Sequence, residues 1–424
     1  MMHHPAGDLA IEIADQLAHP DSVLTEYRRA PGWRQSLAHG IPGIALLHVE
    51  LAAAGYRPWQ RVHDWIAASA SGPLTSGTDS HPFYGAPAFA HAAASAAEQL
   101  PGSYQRALDA ADPRLVADVR TRLSAAHHRI DQGHLPALAE FDALRGLTGY
   151  GAHLLRRSPD SDDLRAVLEY LVRLTAPITD GPDMLPGWWT ATGPSGRLDD
   201  RFRGGHANTG VAHGITGVLS LLSTAKLRGS EVAGQLEAIE TILRWLDQWR
   251  ATAAGDIAWP YLVTRDELRT GSRNPPQPLR PSWCYGTTGV GRAQQLAGLA
   301  VGDTSRQSAA ETAVVDALTD PAQLAATTDR SLCHGFAGLA YLATRMSVDA
   351  LPASADRLRR LVPALLDAAA PPGSDHPTIA ASLIADPQAG PGLLDGAAGI
   401  ALSVLTASRG TTPSSGWDTC LLIS

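Results

Sequence analysis

The chain is 424 residues long, 44% hydrophobic and 18% charged, which is the make-up of a soluble globular protein with ample core. A net charge of −8 and a pI near 6.0 argue against a nucleic-acid partner, and the short basic pairs Arg156-Arg157 and Arg359-Arg360 read as solvated helix faces. No apolar stretch approaches the ~20 residues of a membrane span, and the opening MMHHPAGDLAIEIADQLAHP lacks the basic-then-apolar order of a signal peptide.

Along the chain one pattern recurs: a G-x-x-G turn that opens an apolar, alanine-rich segment. The copies are HGIPGIALLHVELA from His39, YGAPAFAHAAASAA from Tyr84, RGLTGYGAHLLRR from Arg145 and HGITGVLSLLSTA from His213. YGTTGVGRAQQLAG from Tyr285, HGFAGLAYLATR from His334 and DGAAGIALSVLTA from Asp395 complete the seven. The second copy carries Ala88 in place of its second glycine, and successive first glycines are 45, 61, 68, 72, 49 and 61 residues apart. Glycine disfavours a helix by ~1 kcal/mol, so a repeated pair in the first turn needs a reason, and close backbone approach at a crowded axis supplies one.

Amphipathic stretches alternate with these segments. DDLRAVLEYLVRL gathers Leu164, Val167, Leu168, Leu171 and Leu174 on one face, and GQLEAIETILRWLDQW gathers Leu236, Ile239, Leu243, Leu246 and Trp249. The alternation predicts an all-α fold, an α/α toroid of seven inner and seven outer helices in a single domain over residues 1–424, rather than an open helical solenoid. Residues 100–141 form an inter-repeat segment in which RLVADVRTRLSAAHHRI reads as helix. Two long connections, 176–212 and 251–282, end just before a glycine turn that bears a histidine or a cysteine, which marks one rim as the working face.

Chemistry gathers at the turns. Cys284 precedes the fifth turn in RPSWCYGTTG, and Cys333-His334 precede the sixth. Three widely spaced cysteines make a poor disulfide framework, so a reducing cytoplasm with metal-binding or catalytic thiols is the expectation. Equivalent positions on adjacent repeats should converge. Two sulfurs and one nitrogen then suit a zinc ion that keeps an open fourth position. Cys420, in WDTCLLIS, reads as a buried inert thiol, and His39 and Asp395 as turn or cap residues. Asp142 lies four residues before Gly146, Arg280 four before Cys284, and His213 opens the fourth turn.

AHGITG, WCYG and CHG, in this order and with seven glycine turns, resemble the lanthionine synthetase C-like family of lantibiotic cyclases, from SLAHGIPG to WDTCLLIS. The resemblance implies one zinc ion per chain, bound by Cys284, Cys333 and His334. It places His213 and Asp142 at acid/base positions and Arg280 and Tyr285 at the remaining active-site positions. It further implies an enzyme that closes thioether rings in a dehydrated precursor peptide, alongside a dehydratase and an exporter; a cytoplasmic monomer is expected from the cysteine usage and because nothing in the residues demands an oligomer. Family cyclases can carry a substantial insertion between the second and third repeats, and residues 100–141 leave room only for a reduced one.

Three other readings compete. The same zinc site could add a small thiol such as glutathione to dehydroamino acids. A protein prenyltransferase β-subunit is also an α/α toroid with zinc, but 6% aromatic residues, none recurring in the repeat register, weigh against its isoprenoid pocket. A zinc-stapled peptide-binding scaffold would need a fourth protein ligand.

Overall fold

A computed structural model of the chain describes residues 4–21, 23, 32–253, 256–272 and 279–424. The stretch read for a signal peptide is here the helix Ala6–Gln16, with residues 1–3 outside the described residues. The chain divides into two compact units, Met1–Leu115 with Thr327–Asp418 and Val116–Ala326 with Thr419–Ser424.

Each glycine turn opens a helix. In the first unit the helices Phe336–Asp349, Ala397–Arg409, Ile41–Ala53 and Ala86–Gln99 pack side by side in that order. In the second, Leu147–Arg157, Ile215–Leu227 and Thr287–Val301 do the same. These helices are buried over most of their length. All of residues 215–225 are buried, for example, because neighbouring helices flank them and an amphipathic partner backs them. The partners are Pro352–Ala369, Ala6–Gln16 and Trp59–Ser69 in the first unit. Asp162–Leu174, Gln235–Trp249 and Thr304–Ala317 serve in the second.

The expected face of Asp162–Leu174 is buried at Leu164, Val167, Leu168, Leu171 and Leu174, and Ser161 caps the helix by accepting from the Leu164 N–H. In Gln235–Trp249 one expectation fails. Leu236 is 41% exposed, because the buried face is centred on Ile239, Ile242 and Leu246, about 100° round the helix from it. Between the second and third repeats runs the helix Gln105–Asp131, with Pro113 inside it, followed by the single turn Leu138–Phe141.

Among the described residues, the two long connections carry six three-residue strands, all in the second unit. Strand β1 (Ile178–Asp180) pairs with β2 (Asp183–Leu185), and β4 (Ala251–Ala253) with β5 (Asp256–Ala258). Strand β3 (His206–Asn208) pairs antiparallel with β6 (Leu262–Thr264), which joins the first connection to the second, with His206 opposite Thr264 and Asn208 opposite Leu262. Ion pairs from Arg265 to Asp180 and Asp183, and from Arg269 to Asp183, add to that joint. The two guanidiniums hold the Asp183 carboxyl down at about 2. Residues 254–255 and 273–278 of the second connection lie outside the described residues.

The glycine pair answers to its own turn rather than to an axis. A Cβ on Gly338 would fall on the Leu332 carbonyl, and one on Gly289 on the Trp283 carbonyl, each six residues upstream. A Cβ on Gly335 or Gly286 would meet the backbone of residues 330–331 or 280–282. The backbone makes the same fold-back in both turns. The N–H groups of Gly335 and Gly338 both donate to the Ser331 carbonyl, at 3.0 and 3.2 Å, and those of Gly286 and Gly289 both donate to Ser282. The second repeat breaks the rule and shows why: Gly85, unlike the other first glycines of the turns, has positive φ (79°), and its altered turn leaves room for Ala88.

A glycine-to-alanine change inside a helix would normally stabilise by ~1 kcal/mol. Gly399→Ala should instead destabilise by about 1–3 kcal/mol, because its Cβ would overlap the Leu393 carbonyl. Urea unfolding measures the sign, and a stabilised variant would overturn this account of the turn.

Candidate functional site

Within each unit, neighbouring turns are tied by backbone hydrogen bonds at one position, two residues before the first glycine. The N–H groups of Val211 and Ala212 donate to the Cys284 carbonyl at 2.9 and 3.3 Å, and Ala143 donates to Ala212 at 3.1 Å. In the first unit Cys333 donates to Leu394 at 2.9 Å, and Leu393 and Leu394 donate to Ala38 at 2.7 and 3.0 Å. Cys284 and Cys333 occupy this position, so the same bonds that set the spacing of the turns set the backbone of both thiols. The Trp283 indole anchors the Cys284 turn further by donating to the Leu421 carbonyl at 3.0 Å.

Among the described residues, Cys284, Cys333 and His334 form a group that could hold a metal ion: one ligand atom from each lies within 4.8 Å of the others. Two thiolate sulfurs at ~2.3 Å and one imidazole at ~2.0 Å make a zinc donor set, whose ligand atoms stand about 3.5–4 Å apart when bound. The donors present therefore fit zinc with little rearrangement. Cys420 is buried and outside the group.

Two carboxylates attend His334. Asp329 Oδ2 is 3.4 Å from its Nε2 and Asp395 Oδ1 is 3.6 Å from its Nδ1. Asp395 thus sits in its turn as expected but faces the imidazole instead of capping the helix, whose N-cap is Gly396. Carboxylates beside a ligating histidine fix its orientation and tautomer. His39, the corresponding turn residue of the first repeat, is exposed and only its backbone N–H bonds locally, to Ser36 Oγ.

Asp142 has two roles, one for each oxygen. Its Oδ1 accepts the N–H groups of Arg145 and Gly146, the task performed for other turns by Ser331 Oγ, which accepts from His334, and Ser36 Oγ. Its Oδ2 accepts from His213 Nδ1 at 2.7 Å, with Arg145 at 3.7 Å. The carboxylate is wholly buried, and these donors offset its desolvation. A carboxylate only accepts, so Nδ1 carries the proton and Nε2 is the nitrogen left for exchange.

Tyr285 lies beside this pair, its ring centroid 6.3 Å from that of His213, and its hydroxyl accepts from Asn208 Nδ2 at 3.3 Å. Arg280 is half-buried at the start of the same turn, and its carbonyl accepts from the Tyr261 hydroxyl at 3.2 Å. Burial pushes the Tyr261 phenol above its ordinary value.

Three neighbours escaped the sequence reading. Asp329 shares the register of Arg280, four residues before a cysteine, and that offset could have found it. Asn208 opens an N-T-G turn and accepts from the Gly210 N–H, a local signal of an Asx turn. Tyr261 carries no such signal, because only the β3·β6 pairing brings it to the fifth turn.

His206, on β3, is fully buried. Its Nδ1 donates to the Thr192 carbonyl at 2.8 Å, and its Nε2 has no protein partner. Burial lowers its pKa to about 4. The unfolded chain takes up this proton near pH 6.5 and the folded chain only near 4, so stability present above 6.5 is lost as the pH falls between them. The full loss is roughly 3 kcal/mol. Melting temperatures followed from pH 7.5 to 4.5 should therefore fall less steeply for His206→Asn than for the wild type, and parallel curves would refute the assignment.

The family model described as "Lanthionine synthetase C-like protein" matches residues 31–422. A nisin biosynthesis protein, NisC, of Lactococcus lactis subsp. lactis is 23% identical over 204 residues, which is 47% of this chain and 47% of that relative. The chain thus matches about half the length of this curated relative. Among solved structures, one described as nisin cyclase superposes with a TM-score of 0.77 over 98% of this chain and 96% of that one, at 20% identity. That likeness carries the fold class, an α/α toroid, as the seven glycine turns lead one to expect.

Proposed function

Because the chain belongs to the lanthionine synthetase C-like family, we propose that it is a zinc-dependent lanthipeptide cyclase. Its substrate is a dehydrated precursor peptide, whose cysteine thiols add to dehydroalanine and dehydrobutyrine to give lanthionine and methyllanthionine rings. The observation that carries this reading is the Cys284, Cys333 and His334 donor group, placed by three residues of the very turns that define the family resemblance. Its donor count supports catalysis over a structural staple, which would use four protein ligands.

A free thiol near pKa 8.5 is only a few per cent ionised at pH 7. Zinc, when bound, supplies the deprotonation, and two thiolate ligands offset its formal charge so that an incoming sulfur stays electron-rich. The chain's own residues handle the rest. A carbon–sulfur bond forms as the alkene π bond is consumed, and charge moves to the amide oxygen of an enolate. Arg280 is the residue assigned to stabilise that oxygen. His213 Nε2 takes up the proton that the peptide thiol loses and then gives a proton to the α-carbon, while Asp142 holds the ring with its other proton on Nδ1. Thiol hydrogen and sulfur both end on the product, so mass is unchanged.

Mass spectrometry with thiol trapping tests the reaction: a dehydrated precursor should lose trappable thiols without mass change only when the protein is present. Trapping that persists would end the reading. Cys284→Ala should lose most of its zinc by elemental analysis, and full occupancy in that variant would end the metal assignment. Asp142→Ser installs the turn residue native to the fifth and sixth repeats. It should preserve fold and zinc while slowing ring closure about 100-fold or more, whereas an unimpaired rate would remove the carboxylate from the mechanism.

A further inference from the structure

The two long connections each send one side chain to the fifth turn. From the first, Asn208 at the end of β3 donates through Nδ2 to the Tyr285 hydroxyl at 3.3 Å, while its Oδ1 accepts the Gly210 N–H at 3.0 Å and so fixes the amide's orientation. From the second, Tyr261 precedes β6. Its carbonyl accepts the Thr209 N–H at 3.0 Å, its hydroxyl donates to the Arg280 carbonyl at 3.2 Å, and its ring lies 5.4 Å from the Tyr285 ring at 44°. The β3·β6 pairing makes the two arrivals one event, since Asn208 lies opposite Leu262.

Tyr285 is therefore gripped at its hydroxyl by one connection and on its ring by the other, while its ring also neighbours His213 at 6.3 Å. The Arg280 backbone is held by the same phenol. The turns are also tied by their own backbones, so these side-chain contacts come in addition to the ties that space the turns. A ring fixed on two sides beside the proton-carrying imidazole is what a reaction needs when an error of about 1 Å in placement can cost 100-fold in rate.

We propose that Tyr261 and Asn208 are positioning residues that clamp Tyr285 and the Arg280 backbone beside His213, so that the two connections act as one brace for the proton-transfer half of the site. The kinetic part of this proposal rests on the cyclase reading. Its structural part does not.

The test uses Tyr261→Phe, which keeps the ring and removes the hydroxyl, and Asn208→Ser, which keeps a short acceptor for the Gly210 N–H and does not reach the Tyr285 hydroxyl. Each should lower kcat for ring closure about 10-fold, with KM within about twofold and with zinc content and melting temperature as in the wild type. In a Tyr285→Phe background, Asn208→Ser should cost nothing further. Unchanged kcat in both variants, or a penalty that persists in full in that background, would overturn the proposal. A second readout needs no activity. In protein labelled with 13C on its nine tyrosines, the Tyr285 ring signal, identified by its loss in Tyr285→Phe, should move in both variants. An unmoved signal overturns the clamp even if the wild type closes rings. A moved signal upholds it even if the wild type closes none, in which case only the cyclase reading falls.

Discussion

The structure depends on a backbone that folds back on itself where two glycines lie three apart. At Gly335 and Gly338, both N–H groups reach the single carbonyl of Ser331, and the chain passes where two methyl groups would otherwise sit. That compact turn starts an apolar helix while exposing, two residues earlier, an N–H and a carbonyl that neighbouring turns use to bond to each other. Whatever side chain occupies that position is held by main-chain atoms on both sides. In two of the seven repeats it is a cysteine.

The polar side chains of the candidate site borrow from this scaffold. Asp142 takes a place that serine holds in the first, fifth and sixth turns and performs the serine's task with one oxygen. Its second oxygen is surplus to the turn and is spent on His213. One substitution of a turn residue thus adds a hydrogen-bonded imidazole without disturbing the repeat. Asp329 shows the same economy: Oδ1 accepts the Ser331 N–H at 2.8 Å while Oδ2 approaches His334. Preorganisation of this kind matters because proton transfer and metal ligation both depend on angles that loose side chains do not keep.

The connections contribute differently. The turns are held by local bonds, but β3 and β6 meet across more than fifty residues of chain and bring their own charges, Arg265 and Arg269 against Asp180 and Asp183. His206, buried and neutral, adds a stake that acid withdraws. This part of the site is therefore less local in origin and more sensitive to conditions than the turns it serves.

Much of the architecture was legible in the residues. Seven glycine turns, each opening an apolar segment and alternating with one-faced helices, determined the helical repeat, because period and glycine placement are local properties that packing could only confirm. The same register assigned Cys284, Cys333 and His334 to one group, since equivalent positions on repeating units converge. What the residues misstated was the reason for the glycines, which lies in each turn's own backbone, and the facing of Leu236, which a pattern of leucines could not distinguish from a buried position. What only the tertiary structure decided was which oxygen of Asp142 does which work, that Asp395 faces an imidazole, and that Asn208 and Tyr261 meet at Tyr285. Those are contacts between segments far apart in sequence, and no local period encodes the pairing that brings them together.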